Sequence, residues 1–457
     1  MSTICAISTP LAPGGLSVIR ISGKNALNIA EKIFVPFGGK KVSDMQGYTC
    51  TYGKVINPNN NRRVDDAVLT VFIAPKSYTG ENTAEISCHG GIFVTKEILR
   101  LCIEQGAQPA EKGEFTKRAF LNGKLSLTQA ESVMELISAQ GEYALRSANL
   151  TREGRLFKKI SAAAKELVRI LAELAAWVDY PEEDLPDVET SALKGSVNDS
   201  LKVINGILRN YDNGMLLRNG VDTVIAGKPN VGKSTLMNML LGYDRSIVTD
   251  IAGTTRDVIE ETAKLGELTL RLSDTAGIRE TDNPVEQLGV ELARKRLESC
   301  ALIMAVLDTS RPLDDEDFEL LEFAKKLNKH FIILLNKSDL DQVIDTARLS
   351  EYSPYVITVS AKNDEGREKI QQVCEEIFSL NEFDPDSTIF ANERQKSCAE
   401  KAKMHLEQAL FALDNGDTLD AVTVTIDCAA NALLELTGEK ASEAVVNEVF
   451  SKFCVGK

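Results

Sequence analysis

GKPNVGKS, residues Gly227 to Ser234, decides the fold of the central part of this chain. An apolar run, 221–226, precedes it, and a run with helical spacing, 235–241, follows it. A glycine, four residues and then Gly-Lys-Ser is the P-loop pattern, in which backbone amides and a helix N-terminus bind phosphate oxygens. We therefore expect Lys233 to bind the β- and γ-phosphates of a nucleotide and the Ser234 hydroxyl to ligate Mg²⁺.

The composition predicts a globular protein with several domains. The chain has 457 residues, of which 43% are hydrophobic and 26% charged, as is ordinary for globular proteins. Its net charge of −15 argues against a general cationic coat for nucleic acid, although not against a local basic site. The N-terminus lacks a signal-peptide pattern and no long apolar run occurs, so we expect no membrane segment.

The cysteines indicate a reducing compartment. Nine cysteines are scattered without a Cys-x-x-Cys pair, and the chain has only three histidines. We therefore expect neither a disulfide framework nor a structural zinc site, and we expect a cytoplasmic location.

Residues 1–120 combine short β-branched runs with stretches of helical spacing, which predicts an α+β domain. The segment PGGLSVIRISG places Arg20 beside glycines, and SYTGENTAEISCHGG places Glu81, Glu85 and His89 near a Gly-Gly pair. These residues are compatible with a pocket for an anionic, ring-bearing ligand. Structural turns and a surface salt bridge explain them at least as well.

Helical spacing dominates 121–218 and 381–457, and the first piece contains a capping-box pattern at 126–129. Between them, 219–380 alternates strands and helices, which predicts a parallel sheet covered on both faces. We therefore expect one discontinuous helical domain with a P-loop α/β domain inserted into it. The stretch 146–169 holds seven Lys/Arg and two Asp/Glu, a net of +5. It is either a phosphate-contacting face or a solvated helix face.

Two further motifs specify the base of the nucleotide. NKSD, 336–339, and SAK, 360–362, each follow an apolar strand. An aspartate there accepts both N1–H and the exocyclic amine of guanine, whereas adenine would leave the carboxylate unpaired.

DTAG, 274–277, and TDIAGTTRD, 249–257, fall where a GTPase binds Mg²⁺ and the γ-phosphate. The predicted GTP-binding residues are Asn230, Val231, Gly232, Lys233, Ser234, Thr235, Thr249, Asp250, Ile251, Ala252, Gly253, Thr254, Thr255, Asp274, Thr275, Ala276, Gly277, Asn336, Lys337, Ser338, Asp339, Ser360, Ala361 and Lys362.

Hydrolysis needs a substitute for the glutamine that orients water in many GTPases, because Ile278 follows DTAG. One candidate is a monovalent cation held by the Asn230 side chain and by backbone carbonyls of 249–254, which would offset transition-state charge. The other candidate is Glu286, which can position water. Asn230 as a residue that only stabilises the loop is the alternative.

The motifs together resemble the MnmE (TrmE) family of tRNA modification GTPases. KPNVGKS, GTTRD, DTAGIRE, NKSD and the C-terminal FCVGK (453–457) carry the resemblance, and the N-terminal segments extend it over the whole chain. The resemblance implies an N-terminal domain similar to tetrahydrofolate-binding one-carbon enzymes, a helical domain and a Ras-like GTPase domain. Val455 is a departure, since Ile or Leu is usual there.

The resemblance also implies partners and cofactors. The family forms homodimers, pairs its GTPase domains in a potassium-dependent way, and forms a heterotetramer with the FAD-dependent MnmG (GidA). The complex adds an aminomethyl or carboxymethylaminomethyl group to carbon 5 of the wobble uridine of certain tRNAs. GTP, Mg²⁺, K⁺ and 5,10-methylene- or 5-formyl-tetrahydrofolate are the implied substrate and cofactors, with glycine or ammonium as co-substrate.

Site residues follow from the resemblance by position. Lys233 and Glu286 match catalytic residues of GTP hydrolysis, and Cys454 matches a cysteine important for modification. Cys454 is either a nucleophile, activated near Lys457, or a packed residue that shapes the pocket. The implied ligands are Ser234 and Thr255 for Mg²⁺; Asn230, Thr249, Ile251 and Thr254 for K⁺; and Arg20, Glu85, Lys124 and Lys457 for the folate.

Two other functions compete with this hypothesis. One is a ribosome-assembly GTPase that binds ribosomal RNA. The sequence argues against it, because no KH-type GXXG loop follows residue 380. The other is a folate-dependent transferase in which GTP only regulates.

Overall fold

The computed structural model describes residues 1–39, 41–139, 141–179, 190–209, 211–242, 261–266, 268–274, 294–378, 390 and 392–457. They form two compact units. Unit 1 is Met1–Met134, Leu150–Asn205 and Phe390–Lys457, and unit 2 is Glu135–Asn149 and Gly206–Ile389. The units divide the chain differently from the predicted domain bounds, because 135–149 belongs to unit 2. The domain bounds themselves stay a prediction.

Thirteen strands and fourteen helices have complete bounds within the described residues. The strands are β1 Ile4–Ile7, β2 Leu16–Ser22, β3 Phe34–Pro36, β4 Thr49–Asn57, β5 Arg62–Phe72, β6 Thr83–His89, β7 Gln108–Pro109, β8 Val221–Ala226, β9 Glu261–Leu265, β10 Leu268–Asp274, β11 Leu302–Asp308, β12 His330–Asn336 and β13 Tyr355–Thr358. The helices are α1 Ala26–Ile33, α2 Ile92–Glu104, α3 Glu114–Leu121, α4 Leu127–Ser138, α5 Glu142–Arg152, α6 Arg155–Asp179, α7 Thr190–Arg209, α8 Tyr211–Asn219, α9 Lys233–Leu241, α10 Asp315–Lys326, α11 Arg367–Ile377, α12 Glu393–Asn415, α13 Leu419–Thr437 and α14 Glu443–Ser451.

A seven-stranded sheet organises the N-terminal part of unit 1, in the order β3-β4-β5-β6-β2-β1-β7. Its neighbours are antiparallel except for the parallel pair β1 and β7. Side chains alternate between the faces of a strand. In β2 the buried Ile19 and Ile21 therefore face the core under α1 and α2, whereas Arg20 lies on the opposite face.

The helices of unit 1 pack through α13, which contacts both α12 and α6. The predicted capping box at the start of α4 is confirmed, because the Gln129 N–H donates to the Ser126 hydroxyl (3.2 Å) and the Ser126 N–H to the Gln129 side chain (2.9 Å). A buried ion pair joins two helices: Arg394 of α12 binds both oxygens of Glu131 in α4, each at 2.8 Å. The same guanidinium also donates to two carbonyls at the end of α13.

Unit 2 is built on a six-stranded sheet in the order β13-β12-β11-β8-β10-β9. Among the strands that the structure describes here, only β9 runs antiparallel to its neighbour, so the carboxyl ends of β8, β11 and β12 meet at one edge. These strands are almost wholly buried and separate two apolar cores, one on each face. Tyr143, from the stretch 135–149, lies in one of them.

The observed architecture confirms the predicted fold class, with an α+β N-terminal part, helices from two distant stretches and an inserted α/β sheet. Within the described ranges, no helix has the length and apolar character needed to cross a membrane.

Candidate functional site

The P-loop lies at the carboxyl end of β8 and leads directly into α9. Gly232 precedes the helix with φ of +96°, and a Cβ there would overlap the side-chain amide of Asn336. Only glycine fits this position without strain. Asn230 also has a positive φ, +66°, and its side chain is exposed. The loop therefore presents amides at the start of α9 together with the exposed side chain of Asn230.

Lys233 lies across the inside of the loop. Its ammonium donates to the carbonyls of Gly227 (2.8 Å) and Lys228 (2.9 Å), and its side chain is largely buried. A buried ammonium needs compensation, which a phosphate oxygen supplies better than a neutral carbonyl. The lysine is thus positioned to exchange these carbonyls for phosphate.

Asn336 joins the P-loop to the two base-recognition motifs. Its side-chain NH₂ donates to the Val231 carbonyl (2.8 Å), and its side-chain oxygen accepts from the Ala361 N–H (3.0 Å). Asn336 is only 2% exposed, so both hydrogen bonds are shielded from water. The phosphate-binding and base-binding loops are therefore held together by one side chain.

Asp339 is oriented by Ser360 of the SAK motif. The serine hydroxyl donates to Asp339 Oδ1 (2.8 Å), while Asp339 itself is exposed. The carboxylate is thus fixed by one hydrogen bond and keeps acceptor capacity for a ligand.

Lys337 is held by Asp308, which sequence reasoning missed. The lysine ammonium binds Asp308 Oδ2 at 2.6 Å, and the other carboxylate oxygen accepts from the hydroxyl and N–H of Ser310. Burial would raise the pKa of Asp308, but these partners outweigh it and keep the pKa below its usual value. The sequence did contain a signal for this pair: Asp-Thr-Ser begins at the last residue of β11. Because β11 and β12 are parallel neighbours, their carboxyl ends lie side by side, which brings Asp308 next to Lys337.

Lys228 forms a second tether that was not predicted. Its ammonium binds Asp314, which caps α10, and Glu316 at 3.0 Å. Burial would lower the pKa of Lys228, yet the two carboxylates raise it overall. The first half of the P-loop is therefore tied to the turn that begins α10.

Several predicted residues lie outside the described residues. They are Thr249, Asp250, Ile251, Ala252, Gly253, Thr254 and Thr255, the DTAG residues Thr275, Ala276 and Gly277, and Glu286. The backbone of Asp274 ends β10 beside Ile225 of β8. Of the remaining predicted residues, Ser234, Thr235 and Lys362 are exposed, while Val231 and Ala361 are buried.

A second cluster lies in unit 1, on the face of the sheet opposite α1 and α2. Arg20 and Glu85 are opposite each other on β2 and β6 and form an ion pair of 2.7 Å. The rings of Tyr78 and Phe115 lie 5.9 and 5.6 Å from the Arg20 guanidinium carbon, within cation–π range. The cluster thus combines a cation, a carboxylate and two aromatic faces.

The C-terminal tail lies against this cluster. The Gly456 carbonyl accepts from the Ser8 hydroxyl (3.2 Å) and from Arg20 (3.5 Å). The Lys457 carbonyl accepts from the Phe115 N–H (3.1 Å). Cys454 is exposed. The structure therefore brings four predicted residues, Arg20, Glu85, Cys454 and Lys457, into one region.

Other predicted residues take separate partners. Lys124 donates to the Pro75 carbonyl (3.2 Å), on the turn that carries Tyr78. His89 pairs with Asp65 at 2.8 Å, and Glu81 pairs with the buried Arg118 at 3.1 Å. Glu81, Glu85 and His89 therefore each pair with a residue of a different element, and their grouping in one ligand pocket stays a prediction.

Comparisons with known proteins cover nearly the whole chain. The family described as the MnmE helical domain matches residues 127–454, and the family described as the GTP-binding protein TrmE N-terminus matches 3–124. A tRNA modification GTPase MnmE of Acetivibrio thermocellus is 40% identical over 100% of this chain and 99% of its own length. Its counterpart in Streptococcus agalactiae is 42% identical over 100% of this chain and 98% of its own length.

Solved structures match parts of the chain. An Aquifex aeolicus Era variant bound to GDP and aluminium fluoride is 27% identical, covers 40% of this chain and 66% of its own, and has a TM-score of 0.28. The G domain of the T. maritima FeoB iron transporter is 24% identical, covers 35% of this chain and 98% of its own, and has a TM-score of 0.28.

Proposed function

Because this chain belongs to the MnmE family of tRNA modification GTPases, we propose that it works with an FAD-dependent partner of the MnmG type on the wobble uridine of certain tRNAs. The pair would add an aminomethyl or carboxymethylaminomethyl group to carbon 5. The one-carbon unit would come from 5,10-methylene- or 5-formyl-tetrahydrofolate. The protein would act as a homodimer and form a heterotetramer with that partner in the cytoplasm. Family membership favours this function over ribosome assembly.

The observation that carries the GTP-binding half of the proposal is the pair of hydrogen bonds made by Asn336. They hold the P-loop and the SAK motif beside each other, as a site that binds phosphates and base of one nucleotide requires. Asp339, oriented by Ser360, would accept N1–H and the amine of guanine. Lys233 would then leave its carbonyl partners for the phosphates.

The residues of the P-loop fit the proposed cations. Ser234 presents an exposed hydroxyl at the start of α9, and Asn230 presents an exposed side-chain oxygen on the other half of the loop. Ser234 with Thr255 would hold Mg²⁺, and Asn230 with the backbone of Thr249, Ile251 and Thr254 would hold K⁺. Bound cations would offset the negative charge that develops on the phosphates during hydrolysis. Glu286 would position the attacking water.

The cluster around Arg20 fits a reduced folate. The exposed Tyr78 ring suits a pterin or aminobenzoyl ring, and Glu85 suits the amino-pyrimidine edge. The glutamate tail of the folate carries carboxylates that Arg20, Lys124 and Lys457 would meet. Cys454 would act there as a nucleophile or as part of the wall.

Nucleoside analysis tests the function. Cells that lack this protein should contain tRNA whose wobble uridine carries no aminomethyl-type group, detected by mass spectrometry. Wild-type protein and the exposed control Asp341→Asn should restore the group, whereas Asp339→Asn should not. An unchanged nucleoside profile in cells without the protein would overturn the proposal.

Potassium dependence needs its own experiment. GTP hydrolysis by the wild type should be faster in KCl than in NaCl at equal ionic strength. Asn230→Ala should remove this difference, and Asn238→Ala, an exposed substitution on α9, should keep it. Equal wild-type rates in the two salts would exclude the K⁺ site.

A further inference from the structure

A basic stripe lies on the exposed face of α6 and at the end of α5. We define it as Arg152, Lys158, Lys159 and Lys165, all of which are exposed. The stretch 152–169 holds six Lys/Arg and two Asp/Glu, a net of +4, within a chain of net charge −15. The positive charge is therefore concentrated locally.

The stripe and the buried side of α6 occupy different faces of the helix. Leu156, Ile160 and Leu167 are fully buried on the packed side. With 3.6 residues per turn, the helical members of the stripe fall within an arc of about 120° on the other side. Between 155 and 169 this arc carries Ala162 as its only apolar residue. Protein interfaces are typically enriched in aromatic residues and depleted in lysine, so this arc resembles an anion-binding face more than a protein interface.

Internal ion pairs do not neutralise the stripe. Arg155 is paired with Glu153 at 3.6 Å, and Arg169 with Glu166 at 2.7 Å. Across the ranges that the structure describes, Arg152 and the three stripe lysines form no ion pair. They are thus available to external anions without first breaking an internal pair.

We propose that the basic stripe binds the phosphodiester backbone of tRNA. This inference rests on the proposed function, which makes tRNA the substrate. Lys158 and Lys165 are two helical turns apart, about 10.5 Å, which matches about three phosphates of one strand at 3.4 Å each. The contacts are to phosphates and carry no sequence information, so other elements select the tRNA.

The test compares tRNA binding by two triple variants of the intact protein. The stripe variant is Lys158→Gln/Lys159→Gln/Lys165→Gln. The matched control, Lys326→Gln/Lys329→Gln/Lys369→Gln, removes the same charge from exposed lysines of unit 2. Filter binding of an unmodified tRNA transcript is measured without nucleotide over a range of KCl concentrations.

We expect the stripe variant to bind tRNA about a hundredfold more weakly at about 0.1 M KCl, and its log–log salt slope to be smaller by about 2, because each lost contact removes about 0.7. The control should stay within about twofold of the wild type, and both variants should hydrolyse GTP normally. Wild-type affinity and slope in the stripe variant would overturn the inference and leave the stripe as a solvated face or a protein contact. An equal loss in the control would also overturn it. Failure of the proposed function itself would appear separately, as an unchanged nucleoside profile.

Discussion

Asp308 offers a sharp test of how the nucleotide site is held. The substitution Asp308→Asn keeps the size of the side chain and an acceptor for Ser310, but it removes the charge that faces Lys337 at 2.6 Å. A hydrogen bond between charged groups contributes about 1.5–3 kcal/mol. The Lys337 side chain is 31% exposed, so water weakens the pair, and we expect the lower end of that range. The free energy of unfolding should fall by about 1.5 kcal/mol.

The same substitution should weaken nucleotide binding. Lys337 has a positive φ of +67° and lies between Asn336 and Asp339, so its stem borders the base site. Without Asp308 the lysine samples other rotamers, and binding must restore one of them. We expect GDP affinity to fall about tenfold, which corresponds to about 1.4 kcal/mol.

Fluorescence titration with labelled GDP and urea unfolding of the intact protein measure the two effects. Asp341→Asn, an exposed carboxylate of the same unit, is the control and should change neither. Lys337→Met tests whether Asp308 acts through Lys337. If it does, the losses of GDP affinity caused by Lys337→Met and Asp308→Asn should not add in the double variant. Wild-type GDP affinity in Asp308→Asn, or full additivity, would refute the role assigned to Asp308.

The pH dependence gives a second check on this pair. The folded pKa of Asp308 is lowered, so its contribution to stability is complete above the unfolded pKa of about 3.9 and is lost as pH falls through the folded value. The stability difference between wild type and Asp308→Asn should therefore be constant near neutral pH and shrink below about pH 4. A difference that persists at lower pH would show that the carboxylate charge is not its origin.

Three further outcomes are expected. Asp339→Asn should lower GTP affinity on the order of a hundredfold and favour xanthosine triphosphate, whose base lacks the exocyclic amine, as competition binding would show. Arg394→Met should lower the free energy of unfolding of the intact protein by about 3–5 kcal/mol in urea, because it leaves the buried Glu131 carboxylate without its cation. The control Arg100→Met removes an exposed ion pair and should lower the free energy of unfolding by less than about 1 kcal/mol. Gly456→Ala should release the C-terminal tail from the sheet, because Gly456 has φ of +93° and a Cβ there would overlap the Ile7 carbonyl. Faster labelling of Cys454 by a thiol reagent would report this release.

Motifs that follow strands were predictable from sequence. The P-loop, NKSD and SAK each follow an apolar run, and parallel strands bring their carboxyl ends to one edge. Register within the first sheet was not predictable in this way. Glu85 pairs with Arg20 because β2 and β6 are neighbours in a particular alignment, and the local pattern of a strand does not show which strands become its neighbours.

Contacts between elements that are distant in the sequence were also not predictable. Tyr143 follows a helical pattern and was assigned to the helical domain, yet it is buried in the core of unit 2. The spacing of apolar residues around Tyr143 predicts a helix and its buried face. It does not predict the surface against which that face packs. Arg394 and Glu131 are likewise far apart in sequence, and neither belongs to a pattern that would pair them.

The turn after β11 explains how an acidic chain can hold a polyanionic nucleotide. Asp308 at its start fixes Lys337 of the base site, and Asp314 at its end fixes Lys228 of the P-loop. The carboxylates keep both ammonium groups in place, because a tethered lysine loses less side-chain freedom when a ligand binds than a free one does. Since both tethers belong to one turn, a change in that turn should alter base binding and phosphate binding together. The negative charge beside the site therefore serves to orient its cations, and its removal should weaken nucleotide binding despite reducing repulsion.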